Sequence, residues 1–206
     1  MVVLAIVLQK GQRIDLTKGN PTLERLVVGL GWDPIEQKRG GLLGGLFGGG
    51  SGGADMDIDA SVIMLRDDSF KHNNDLVYFG NLTSPCGGVQ HTGDNLTGEG
   101  DGDDEQVIVQ LSRIPQEVNR LIFVVNIYDC VRRKQDFGQV ANAYIRVVND
   151  TTKEELIKFN LSDNYQGLTS LTVAEIYRHG SDWKFGAIGS GSTDANLSAM
   201  LQHYSK

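Results

Sequence analysis

Cysteine, proline, aromatic residues and positive charge are all scarce in this chain. Of its 206 residues, two are cysteine and four are proline. The thiols, Cys86 and Cys130, make neither a disulfide framework nor a Cys-x-x-Cys redox pair, which argues against a secreted disulfide scaffold. Cys86 and His91 are five apart but have no second Cys/His pair, so a zinc site is not indicated. The four histidines, His72, His91, His179 and His203, sit in unrelated segments, and none adjoins a Ser or Cys nucleophile signature. No apolar run approaches the roughly 18 residues of a membrane span. The N-terminal run Val2–Leu8 lacks the basic flank and small-residue cleavage site of a signal peptide. Together these absences point to a reducing cytoplasm, where the Asn-x-Ser/Thr triplets at Asn81, Asn95 and Asn160 carry no glycan.

Positive charge is in deficit: 19 Lys and Arg against 26 Asp and Glu give a formal charge of −7, and the pI is near 5.0. A general nucleic-acid binder would be basic, and so would a partner for anionic membrane surfaces. The deficit is local. Residues 94–105 read Asp-Asn-Leu-Thr-Gly-Glu-Gly-Asp-Gly-Asp-Asp-Glu and alone supply −6 of the −7.

What is abundant is glycine, with 26 residues. The stretch 40–53 is mostly glycine and reads as a flexible insertion in a surface loop. Elsewhere, short apolar runs recur between turn residues. Candidate strands are Ala5–Leu8, Ile14–Leu16, Arg25–Leu30, Ile58–Leu65, Leu76–Phe79, Gln106–Ser112, Leu121–Tyr128, Ala143–Val148, Glu155–Asn160, Ser170–His179 and Trp183–Ser190. Val2–Leu8 and Leu26–Trp32 read as buried strand material. Gly180-Ser181-Asp182 is a hairpin turn between the last two strands. Short strands without long helices between them predict a mainly all-β chain, an antiparallel β-sandwich, as one domain over 1–206. Two helical stretches are expected: Ala195–His203, capped by Ser192-Thr193-Asp194, and one or two turns over Gln135–Ala141.

The acidic residues carry the chemistry. Calcium takes six to eight hard oxygen ligands, and 94–105 offers carboxylates every one or two residues with Gly98, Gly100 and Gly102 between them. The spacing is not that of an EF-hand, because Leu96 occupies the third position and no helices flank it. Asp55, Asp57 and Asp59 form a second cluster, alternating so that they face one way while Ile58, Ala60 and Val62 face a core. Asp33 and Asp129, at neighbouring strand ends, are possible additions. Two readings stand on the residues alone: a solvated acidic face, or a calcium loop between strands. Glycosidase work would want aromatic sugar platforms, and 86–106 contains none.

The chain also resembles the TerD family of bacterial tellurium-resistance and general-stress proteins. The pieces that carry the resemblance are Leu8-Gln-Lys-Gly-Gln-Arg-Ile-Asp-Leu-Thr17, Val28-Gly-Leu-Gly-Trp-Asp33, Asp57-Ile-Asp-Ala-Ser61, the run from His91 to Glu105, Val125-Asn-Ile-Tyr128 and Ala143-Tyr-Ile-Arg146. The departure is 40–53, where the family has a shorter link. The resemblance implies a single β-sandwich binding calcium, two ions, through acidic loops. Carried over by position, the metal ligands are Asp57, Asp59, Asp94, Asn95, Asp101, Asp103, Asp104 and Glu105. It implies no catalytic activity. It implies a cytoplasmic scaffold or sensor working with other stress and tellurite-resistance proteins, with the inner membrane face as one place of work. Two alternatives belong to other classes. One is a metal-dependent phosphoester hydrolase with His91 as base. The other is a nucleotide-binding module using Arg113, Arg120 or Arg146.

Overall fold

A computed structural model describes residues 5–35, 56–93 and 102–205. The glycine-rich stretch 40–53 lies outside them, as do Asp55, Asp94, Asn95 and Asp101. The described residues form two six-stranded sheets. The elements in chain order are β1 (Ile6–Leu8), β2 (Arg13–Asp15), β3 (Arg25–Pro34), β4 (Ile58–Arg66), β5 (Leu76–Val77), β6 (Val89–His91), β7 (Glu105–Gln110), β8 (Val118–Ile127), helix α1 (Cys130–Arg133), β9 (Val140–Asn149), β10 (Glu155–Asn160), β11 (Ser170–His179), β12 (Asp182–Ser192) and helix α2 (Leu197–Gln202). Sheet A runs β1-β10-β9-β3-β7-β6, and sheet B runs β2-β12-β11-β8-β4-β5.

The pleat explains the packing. Successive side chains on a strand point to opposite faces. Leu26, Val28, Leu30 and Trp32 of β3, with Val107 and Val109 of β7 and Ile145 and Val147 of β9, meet Ile58, Ala60, Val62 and Met64 of β4 and Leu121, Phe123, Val125 and Ile127 of β8 in one inter-sheet core. The alternation predicted for Ile58–Leu65 is therefore realised. Its odd-numbered residues face outward, yet they are buried as well. Ile63 and Leu65, with Ile122 and Val124 of β8, lie beneath Met200, Leu197 and Leu201 of α2 in a second cluster.

Several expectations need correction. The sandwich is antiparallel except where β1 pairs in parallel with β10. There Ile6 and Val7 are about half exposed rather than buried, because β1 is an edge strand. The strand β6 was missed, being only three residues long. The expected helix over Gln135–Ala141 is a single 3₁₀ turn at Phe137–Gln139, and the chain then enters β9. The α-helical turn comes earlier, at Cys130–Arg133. Helix α2 starts later than expected and is capped by Asn196, whose Oδ1 accepts the Ala199 N–H at 2.9 Å. Asp194 instead accepts from Ser192 Oγ and contacts His203 Nε2 at 2.9 Å.

Candidate functional site

The described acidic residues of the two clusters converge on one end of the sandwich but not on one point. Asp59 lies on the outer face of sheet B and is 6 % exposed. Asp57, just before β4, is also largely buried, and its carbonyl accepts the Tyr128 N–H at 2.8 Å, extending the ladder beyond β8. Its carboxylate stands 3.9 Å from the Arg133 guanidinium. That guanidinium also approaches Asp129 at 4.0 Å, so Arg133 links two of the candidate carboxylates. Asp129 further pairs with Arg132. It opens α1 in the left-handed region, at φ 54°.

Glu105 belongs to the space between the sheets. It sits on β7 with Val107 and Val109, all three on the inner face, and is 2 % exposed. The edge strand β5 pairs only with Val62 and Ile63, leaving the Ala60 N–H without a strand partner on that side. Glu105 Oε2 accepts that N–H at 2.6 Å. The last residue of the acidic stretch is thus tied directly to the Asp-x-Asp strand of the opposite sheet. His91 fills the space beside it, with Nε2 3.4 Å from Glu105 Oε2. His91 Nδ1 accepts the Gly93 N–H at 3.1 Å, so the neutral ring carries its proton on Nε2, toward the carboxylate.

Asp103 takes the third position, on the outer face of sheet A. Arg146 grips it with two bonds, Nε to Oδ1 at 2.7 Å and Nη2 to Oδ2 at 3.0 Å. The Tyr144 hydroxyl at 3.0 Å and Gln106 Nε2 at 3.0 Å add to the hold. This loop packs onto β3 only because residues 29 and 31 are glycine. A Cβ at 29 would overlap the Asp103 carboxylate, and one at 31 would overlap the Tyr144 ring. The Gly-x-Gly of Val28–Asp33 is therefore a flat seat for Asp103 and Tyr144. Burial, reinforced by the nearby Asp103 charge, pushes the Tyr144 hydroxyl well above its ordinary range.

Asp104 anchors the adjacent irregularity. The pairing of β3 with β9 shifts register between Gly31 and Asp33, and there the Trp32 N–H donates to Asp104 Oδ2 at 2.7 Å. Burial raises the Asp104 pKa, the Trp32 bond opposes the rise, and the neighbouring Asp33 and Asp103 charges add to it. Asp33 is exposed and accepts from Asn142 Nδ2 at 2.7 Å.

The sheets of a sandwich pack about 10 Å apart. Asp59 and Asp103 lie on opposite outer faces, so no single ion can take both. Among the described residues, no three of His, Cys, Asp and Glu are grouped so as to hold a metal. The available oxygens nevertheless suit a hard cation. Beside Asp59, two neutral oxygens that the acidic pattern could not flag, Ser61 Oγ and Asn126 Oδ1, are buried with no hydrogen-bond partner among the described residues. The signal was present: Asn126 is the one polar residue within the apolar run Leu121–Ile127. Arg133 was also not anticipated as part of the site, and Arg146 was named only as an anion partner for a nucleotide, not as the cation that Asp103 recruits.

The two-sheet sandwich of the described residues is a fold that comparison with known proteins also finds. The TerD domain profile matches residues 4–204, and the chain belongs to the TerD family. It is 58 % identical over 204 residues to stress response protein SCP2 of Bacillus subtilis (strain 168), covering 98 % of this chain and 100 % of that protein. It is 38 % identical over 201 residues to tellurium resistance protein TerD of Serratia marcescens, covering 97 % of each. A crystal structure of a homologue of telluride resistance protein (TerD) from Streptomyces coelicolor A3(2) superposes with a TM-score of 0.62 at 24 % identity, over 89 % of this chain and 99 % of that one. That likeness shows the fold. The named relatives are resistance and stress-response proteins. Among the described residues, no helix is long and apolar enough to cross a membrane.

Proposed function

We propose that this protein is a calcium-binding, non-enzymatic module of the stress and tellurite-resistance response, acting on partner proteins as a scaffold or sensor. The observation that carries the reading is the Glu105–Ala60 bond, which ties the end of the 94–105 stretch to the strand that holds Asp59. The described end of one acidic segment is thereby held against the strand that carries Asp59, from a distant part of the sequence. Asp57 and Asp59, with Asp94, Asn95 and Asp101 of the loop, would hold calcium, two ions in all. Glu105, Asp103 and Asp104 fasten the loop to both sheets. Bound calcium would neutralise a concentrated negative charge and order the surface that partners meet.

The competing readings draw less support from the geometry. The His91 ring is fully buried between the sheets, so it is badly placed to take a proton from a substrate's attacking water. Arg146 is engaged by Asp103 and Glu155, and Arg120 by Asp68 and Glu175, which leaves exposed Arg113, of the three arginines, outside the ion pairs among the described residues. The test is isothermal calorimetry of chelator-stripped protein with calcium and then magnesium. Two calcium equivalents at micromolar affinity or tighter, with magnesium much weaker, is the expected result. No heat, together with no thermal stabilisation by calcium, overturns the reading.

A further inference from the structure

The outer face of sheet B carries a polar row at the end where β4 begins. Along β4 it begins at Asp59 and continues at Ser61, two residues on and on the same face. Across the ladder, Asn126 of β8 is the direct register partner of Asp59, so the two side chains stand side by side. Beyond Asn126, its other partner is Ser170 of β11. The Ser170 hydroxyl donates to the Asp194 carbonyl at 2.7 Å, closing the row on that side.

Two members of the row are unsatisfied. Ser61 is 1 % exposed and Asn126 is 6 % exposed, and neither Ser61 Oγ nor Asn126 Oδ1 has a hydrogen-bond partner among the described residues. Leaving one buried polar group unpaired costs about 1–3 kcal/mol, and two beside a buried carboxylate are rarer still. Apolar residues would fill the same space without cost, as Ile63 and Val124 do one step further along the same strands. Native proteins keep such groups where a water, an ion or a ligand completes them. Here the unpaired atoms are both oxygens, both neutral, and adjacent to the carboxylate of Asp59. A hard cation is what that set recognises.

We infer that Asn126 and Ser61 are neutral oxygen ligands of a calcium ion held against the outer face of sheet B by Asp59 and Asp57. This rests on the calcium reading above and adds to it residues outside both acidic segments. It also accounts for ion choice. The ligands stand on paired strands rather than on a loop, so they are preorganised. Their burial strips water from the ion, which calcium tolerates and magnesium, which dehydrates reluctantly, does not. Arg133 stands 3.9 Å from Asp57. The Asp103–Arg146 pair on the opposite face takes no part.

The experiment compares wild type, Asn126→Leu, Ser61→Ala and Asn126→Asp, all full length and chelator-stripped. Each is titrated with calcium by calorimetry and unfolded thermally in chelator. For Asn126→Leu and Ser61→Ala, one calcium equivalent is expected to weaken by about tenfold or more. Asn126→Asp, which restores an oxygen, is expected to keep it. In chelator, Asn126→Leu is expected to melt at or above the wild-type temperature, because an unpaired polar group has been replaced by an apolar one. A structural asparagine would give the opposite. Unchanged calcium affinity and stoichiometry in both Asn126→Leu and Ser61→Ala, with wild type binding normally, overturns the inference and leaves the calcium reading standing. Wild type that binds no calcium overturns both.

Discussion

Replacing Arg146 with alanine leaves the Asp103 carboxylate in place with its charge and without its cation. The Asp103 side chain is 1 % exposed and that of Arg146 is 31 % exposed. Two charge-assisted bonds, at 2.7 and 3.0 Å, are lost together. Removing one partner of a buried pair costs about 3–5 kcal/mol. The partial exposure of Arg146, and the Tyr144 and Gln106 donors that remain, place this case at the lower end, about 3 kcal/mol. For a domain of this size each kcal/mol is worth roughly 2–4 °C, so the melting temperature falls by about 6–12 °C. The sharper test is the double-mutant cycle with Asp103→Asn, followed by urea denaturation in chelator. If the cost is an unpaired charge, neutralising it in Asp103→Asn/Arg146→Ala recovers about 1 kcal/mol or more of what Arg146→Ala lost. Arg146→Lys, which keeps the charge but loses the two-pronged grip, falls between wild type and alanine. A loss below about 1 kcal/mol in Arg146→Ala, or strict additivity in the cycle, refutes the reasoning and reduces the pair to a solvent-screened surface contact.

Other outcomes follow from the same geometry. Burial holds the Asp104 pKa above its ordinary value, so the folded state binds that proton more readily than the unfolded chain. The stability associated with the protonated form is present at low pH and is lost as pH rises through the raised pKa. In chelator, Asp104→Asn is therefore expected to be more stable than wild type at pH 7, with the difference vanishing in acid; a variant less stable at pH 7 contradicts this. Met200 is 2 % exposed and sits over Ile63, Ile122 and Val124. Met200→Ala should cost about 2–5 kcal/mol by chemical denaturation, and an effect within experimental error would mean that α2 does not hold the outer face of sheet B.

Much of the fold was written in the local pattern. Where alternation was strong, as in Ile58–Leu65, the strand and its inward face were both legible, because a side-chain period of two needs no distant partner. Weak signals failed for equally local reasons. Three residues are too few to show a period, so β6 was missed. The turn at Phe137–Gln139 is fixed by Asp136, whose Oδ1 accepts the Gly138 N–H at 2.7 Å, and by the start of β9 rather than by helical spacing.

The acidic residues show the boundary most clearly. The sequence by itself determined that carboxylates are concentrated in 94–105 and at Asp57 and Asp59. Charge and residue type are properties of the chain and survive any folding. Only the tertiary structure decided how those carboxylates are divided. Glu105 reaches inward to Ala60, Asp103 is claimed by Arg146 from a strand 43 residues away, and Asp59 is placed beside Asn126 by the β4–β8 register. Which carboxylate meets an arginine, a backbone N–H or an unpaired amide oxygen depends on which strands pair, and strand pairing is a long-range outcome of burying two sheets against each other.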